Sequence, residues 1–186
     1  MKRISERDVV MIALFAALIA VLGLIPKLTL ASGIPITAQT LGIMLCGTVL
    51  GAWRGAAAAA LFCLLVLLGL PLLAGGRGGL GVLMTPWAGF FVGFPIAAFV
   101  TGLVMERLRA APVAVGAAAG SVLGGIVALY VVALAWYMLV KPAGLGEAVT
   151  VAALPFIPGD LIKAVLAALV TQALARARPG ALPSRG

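Results

Sequence analysis

Apolar runs, rather than any catalytic motif, constrain what this chain can fold into. Six of them, at roughly 9–25, 40–52, 55–73, 86–105, 113–139 and 151–175, make up most of its 186 residues. No soluble core of this size hides so much apolar surface: 64% of the residues are apolar and only 10% charged, against about 45–50% and about 25% in soluble domains. Lipid is the matching solvent. There, every backbone N–H and C=O must be satisfied within the protein, and long runs without strand-like alternation predict helices. The expectation is an all-α integral membrane protein, a single transmembrane domain over 1–186 with six transmembrane helices.

The opening MKRISERDVVMIALFAALIAVLGLIP has the outline of a signal peptide. No small-residue cleavage site ends its apolar run and five more runs follow, so it reads as a retained first helix. The second run, from Thr40 to Ala52, is short for a core about 30 Å thick. It is expected to begin inside protein, because irregular backbone at depth needs protein or a cavity around it.

Charge placement gives an orientation. With the N-terminus cytoplasmic, that side holds nine cations: Lys2, Arg3, Arg7, Arg54, Arg107, Arg109, Arg176, Arg178 and Arg185. The outer side holds three, Lys27, Arg77 and Lys141. This is the positive-inside pattern, and six spans place both termini in the cytoplasm. The net charge of +8 is therefore topological and implies no nucleic-acid partner.

The outer connections, IPKLTLASGIPITAQ, PLLAGGRGGLGVLMTP and KPAGLGEAVT, are longer than the inner ones and rich in Gly, Pro, Thr and Ser. They also carry apolar residues, among them Leu28, Leu30, Ile34, Ile36, Leu80, Val82 and Leu83, which suits lids packed over a site. Beneath them the last run contains two charges, Asp160 and Lys163, within PFIPGDLIK. Counted from Arg176 at 1.5 Å per residue, they lie roughly 24 and roughly 20 Å up a core about 30 Å thick. Three residues apart, they share a helix face. Pro158-Gly159 breaks the chain just above and leaves Asp160 in the first turn of the deep helix. An uncompensated charge at mid-membrane costs about 2.5–3.5 kcal/mol on insertion scales, and such residues mark functional sites by default. A structural ion pair is the plainer alternative. A ligand pocket for a small molecule with donors and an anionic or acceptor group is the sharper one. Gly75, Gly76, Gly78 and Gly79 let backbone amides approach a ligand, Arg77 adds a cation, and Trp87, Phe90, Phe91 and Phe94 begin the fourth run just below.

Other chemistry is missing. There is no histidine, hence no His-based metal site or triad, and no phosphate-binding P-loop. Cys46 and Cys63 lie apart in apolar runs and read as buried free thiols. No catalytic, cofactor or metal site is expected. In the first run, Ala13 with Ala17 and Ala16 with Ala20 form small-xxx-small pairs. These serve either packing within the chain or docking onto a second membrane protein.

The residues ALFAALIAVLG (13–23), LTLASGIPITAQTLGIML (28–45), GLPLLAGGRGGLGVL (69–83), LYVVALAW (129–136) and, most specifically, PFIPGDLIK (155–163) together resemble the BioY family. BioY proteins are the biotin-binding S components of energy-coupling factor (ECF) transporters, and the resemblance spans nearly the whole chain. It implies an S-component-like bundle in the bacterial cytoplasmic (inner) membrane, with biotin held near the outer face under the first loop and the third, the glycine-rich loop that carries AGGRGGLGV (74–82). Asp160 and Lys163 would contact the ligand, with Gln39 and Thr40 as first-loop contacts. The alanines of the first span would dock on a transmembrane T component coupled to a pair of ABC-type ATPases. Two departures stand out: Thr85-Pro86-Trp87-Ala88-Gly89-Phe90 replaces the usual G-P-T-G-G-aromatic turn, and Ala133 replaces a glycine. A solitary proton-coupled carrier using Asp160 is the rival reading.

Overall fold

A computed structural model describes residues 5–25, 28–29 and 35–185 of the protein. Lys2, Arg3 and Lys27 of the charge pattern, and Leu30 and Ile34 of the first outer connection, lie outside the described residues.

Ser5 starts the first helix, α1 (Glu6–Gly23). Its hydroxyl accepts from the Asp8 N–H at 3.2 Å while the Asp8 carboxylate accepts from the Ser5 N–H at 3.0 Å, a reciprocal cap that satisfies otherwise unpaired amides. Next come α2 (Gln39–Leu45), continued by a π-helical turn over Cys46–Leu50, and α3 (Ala52–Leu67). A long helix, α4 (Ala88–Arg107), follows. Then α5 (Val113–Gly120), a π-helical stretch (Ser121–Ala128) and α6 (Leu129–Val140) form one continuous 28-residue rod. Last are α7 (Leu145–Ala152) and α8 (Ile157–Ala177).

The helix α4 is central: it packs on α3, on the α5–α6 rod and on the π turn after α2, while α1 lies on α2 and α3, and α8 on α2 and α5. Glycine makes the tightest of these contacts possible. A Cβ on Gly102 would meet the backbone of Gly51 and Ala52, with the Ala52 Cα only 2.6 Å away. There the first amide of α3, from Ala52, is capped by the Glu106 carboxylate at 2.9 Å. Cys46 and Cys63 are free and buried.

Three helices, Ala88–Arg107, Val113–Val140 and Ile157–Ala177, are long and apolar enough to cross a membrane. The shorter Gln39–Leu50 helix spans 12 residues, or about 18 Å. All of it except Leu41 is buried, so protein surrounds it as its length requires. The outside of the bundle is apolar: Leu161, Ile162, Val165, Leu166, Leu169 and Val170 are all exposed along α8, a surface that only lipid or a partner would cover.

The chain is all-helical as expected, apart from a two-residue antiparallel pair in the first outer connection, Leu28–Thr29 with Pro35–Ile36. Two expectations need correction. The third outer connection is not a loop throughout, because α7 occupies its second half. Ala148 and Ala152, four residues apart, bury against Tyr137 of α6, and this contact stabilises a helix whose glycine-flanked sequence reads as a turn. Finally, Pro158-Gly159 does not break the chain. Pro158 sits in the first turn of α8, where its missing N–H costs nothing; the break falls before Ile157.

Candidate functional site

The Asp160 carboxylate lies in the first turn of α8 and is only 3% exposed. Three side chains from three elements meet it. Lys163 Nζ, one turn along α8, donates to Oδ1 at 2.8 Å. The Thr40 hydroxyl of α2 donates to the same oxygen at 2.9 Å. The Tyr130 hydroxyl of α6 donates to Oδ2 at 2.6 Å. Lys163 Nζ also donates to the Thr40 oxygen at 2.8 Å, closing a ring of hydrogen bonds. The ion pair is neutral overall, which offsets part of the cost of burying each charge. Its side chains are not sealed off, since Lys163 keeps 13% of its side-chain surface.

Asp160, Lys163 and Thr40 line a cavity of about 360 Å³ and form its polar end, with Tyr130 holding the carboxylate from behind the wall; the volume is within the range of about 300–1,000 Å³ typical of small-molecule sites. The rest of the wall is largely aromatic: Trp87, Phe90, Phe91 and Phe94 of the α4 region, and Phe156 just before α8. Phe90 stands edge-on to Tyr130 at 5.6 Å and packs on Phe156 at 5.5 Å, an arrangement aromatic rings prefer. The Trp136 indole N–H donates to the Thr85 carbonyl at 3.2 Å and fixes the turn leading into α4. The two departures from the family pattern meet here. Gly89, retained in the altered turn, packs so closely on α6 that its Cβ would lie 2.8 Å from the Ala133 Cα.

Of the residues singled out in the sequence, Gln39, Thr40, Arg77, Phe90, Asp160 and Lys163 all line this cavity. Gln39 does more than line it. Its amide donates to the carbonyls of Leu72 (3.1 Å) and Ile19 (3.4 Å) and accepts from the Ala74 N–H (3.0 Å), tying α1 and the third loop to the site. Arg77 is exposed and donates through Nε to the Ala74 carbonyl at 3.3 Å.

Gly75, Gly76, Gly78 and Gly79 are not among the lining residues. They shape the loop instead: Gly76 and Gly79 take φ of 69° and 81°, and the Gly79 N–H anchors the loop to the Val66 carbonyl at 2.7 Å. The alanine pairs of α1 also divide. Ala13 and Ala17 are exposed, whereas Ala16 is buried and Ala20 packs half-buried against the core. Of the four, Ala13 and Ala17 leave their side chains open, whereas a side chain enclosed by its own bundle offers no surface to a partner. Sequence reasoning passed over Tyr130 as a partner of Asp160. The only signal is a lone hydroxyl in the apolar LYVVALAW.

A small molecule with a polar head rich in donors and acceptors and an apolar remainder fits such a cavity. Known proteins point the same way. Residues 1–180 match the model of the BioY family. The chain is 52% identical to the biotin transporter BioY of Rhodobacter capsulatus, over 97% of this chain and all of that one. It is 46% identical to the biotin transporter BioY of Rhizobium etli, over 97% of this chain and 99% of that one. Its fold superposes on the crystal structure of the S component for biotin from an ECF-type ABC transporter with a TM-score of 0.83, at 28% identity over 91% of each chain. The chain belongs to the BioY family.

Proposed function

We propose that this protein binds biotin with high affinity and serves its uptake as the S component of an ECF transporter. It is a multi-pass protein of the bacterial cytoplasmic (inner) membrane and no enzyme. The observation that carries this reading is the Asp160–Lys163–Thr40 ring at the polar end of an aromatic-walled cavity, with Tyr130 bonded to the second carboxylate oxygen. Biotin combines a ureido ring, which both donates and accepts, with an apolar thioether ring and methylene chain and a terminal carboxylate. A polar end of this kind, ureido or carboxylate, has its match in the Asp160 group, and the apolar middle in Phe90, Phe91, Phe94 and Phe156.

In this reading the chain crosses the bilayer six times with both termini cytoplasmic, and the cavity faces outward under the first and third loops. The positive-inside pattern supports that orientation. Because Lys163 neutralises Asp160 within the site, Asp160 is better suited to holding a ligand than to carrying a proton alone. Tyr130→Phe removes one donor to the carboxylate, and hydrogen bonds to charged groups are worth about 1.5–3 kcal/mol. A loss of roughly tenfold in biotin affinity is expected, measured by calorimetry on purified protein; unchanged affinity would leave Tyr130 a packing residue.

The chain carries no P-loop, so energy comes from partners: a transmembrane T component and paired ABC-type ATPases. Ala13 and Ala17 share the exposed face of α1, where small side chains let a second helix approach closely. The double variant Ala13→Leu, Ala17→Leu is expected to bind biotin as wild type does while losing co-purification with the T component. Impaired biotin binding with assembly intact would instead return this face to the chain's own packing.

A further inference from the structure

At the end of α1 away from Gln39, a second cavity of about 390 Å³ opens between the starts of α1 and α3 and the C-terminal tail. Arg7 precedes Ile19, the residue that contacts Gln39, by about 18 Å along the helix, so the two cavities lie at opposite ends of the bundle. Three guanidinium groups, from Arg7, Arg54 and Arg185, line the second one with a single carboxylate, Asp8.

That carboxylate is fully used. One oxygen meets Arg54 Nε at 2.6 Å and the other accepts from the Ser5 N–H at 3.0 Å. Three cations against one anion leave two positive charges unmatched among the lining residues. The tail builds the other wall: Arg185 donates to the carbonyls of Arg109 and Ala111, both at 2.8 Å, and the Ser184 hydroxyl donates to the Thr48 carbonyl at 2.6 Å. Arg185 is thus held in place. Arg7 makes one long hydrogen bond among the described residues, 3.3 Å to the Gly180 carbonyl, which leaves most of its donors for a ligand.

The surroundings narrow what that ligand is. Three and seven residues beyond Arg7, on the same helix face, Val10 and Leu14 are 64% and 58% exposed. Beside Arg54, Trp53 is 78% exposed, and exposed tryptophan is typical of the membrane–water boundary. The cations therefore sit where apolar surface begins. Arginine suits phosphate oxygens through its forked donors, and basic pockets at this level of membrane proteins hold lipid headgroups.

We propose that, in the chain free of its T component, this cavity binds a phosphate-bearing anion, and that the surrounding surface fits the headgroup of an anionic phospholipid with its chains along Val10 and Leu14, on the face that Ala13 and Ala17 offer to the T component on assembly. The test uses delipidated, detergent-purified full chain and follows thermal unfolding in mixed micelles. Phosphatidylglycerol is expected to raise Tm by several degrees more than phosphatidylcholine does. Arg7→Gln, which gives up only one long hydrogen bond, is expected to lose most of that difference while binding biotin normally. Inorganic phosphate at matched concentration separates the sources. An equal, Arg7-dependent shift with phosphate supports the site and assigns it to a free anion. A lipid response of the same size in Arg7→Gln, or no response to either anion in wild type, overturns the proposal. Retention of the lipid response in Arg7→Gln together with lost assembly on the T component also overturns it, giving these cations to a protein partner.

Discussion

Lys163→Ala is expected to reduce biotin affinity by at least about a hundredfold. The reason lies in the ring around Asp160. Lys163 supplies its one cationic donor at 2.8 Å and also holds the Thr40 hydroxyl at 2.8 Å. Removing one member of a buried ion pair leaves the other uncompensated, at a cost of about 3–5 kcal/mol. Ligand binding would then start from a carboxylate that has turned to other partners, with its geometry lost. Titration calorimetry measures the affinity, and gel filtration with circular dichroism checks that the variant is folded. A folded Lys163→Ala protein with wild-type affinity would remove the ion pair from the binding site.

The second large effect concerns folding rather than binding. Gly102→Ala places a methyl group against the backbone where α3 begins, 2.6 Å from the Ala52 Cα. Neither side can yield easily: Gly51 holds a φ of 88° and the Ala52 N–H is tied to Glu106. Overpacking of this kind costs about 1–3 kcal/mol, occasionally more. That is a fall in Tm of roughly 2–12 °C for a chain of this size, with the upper half expected because the clash is with backbone. Gly146→Ala is the control. Its Cβ would meet nothing within 4 Å and it lies inside α7, where alanine is the better helix former, so Tm should hold or rise. Equal responses from the two variants would contradict the tight α3–α4 contact.

How much of this was legible in the sequence depends on whether the determinant is local. Long apolar runs announce helices wherever they occur, so α1, α4 and the α5–α6 rod are readable to within a few residues, whereas the sixth run, read from 151, overlaps the end of α7 and α8 begins only at Ile157. The shortness of the second helix likewise forecasts its burial. Asp160 and Lys163 are legible as a pair because three residues on a helix is itself a contact. Tyr130 reaches Asp160 from thirty residues away, and no spacing rule links two separate helices. Ala16 and Ala17 are indistinguishable by composition; only the packing of α1 turns one inward and the other outward. The loop glycines drew notice for their density, but their part is to shape the turn, whereas Gly102 attracts none in sequence and sits at a close helix contact. The helix α7 was hidden for a related reason: it depends on two alanines finding Tyr137.

The proposal that this chain binds biotin by itself is tested most directly by titrating biotin into the detergent-purified protein, with no T component or ATPase present. Saturable binding at one site per chain is the expected result, because the Asp160 ring and the aromatic wall both come from this chain alone. A folded chain that takes up no biotin would contradict it.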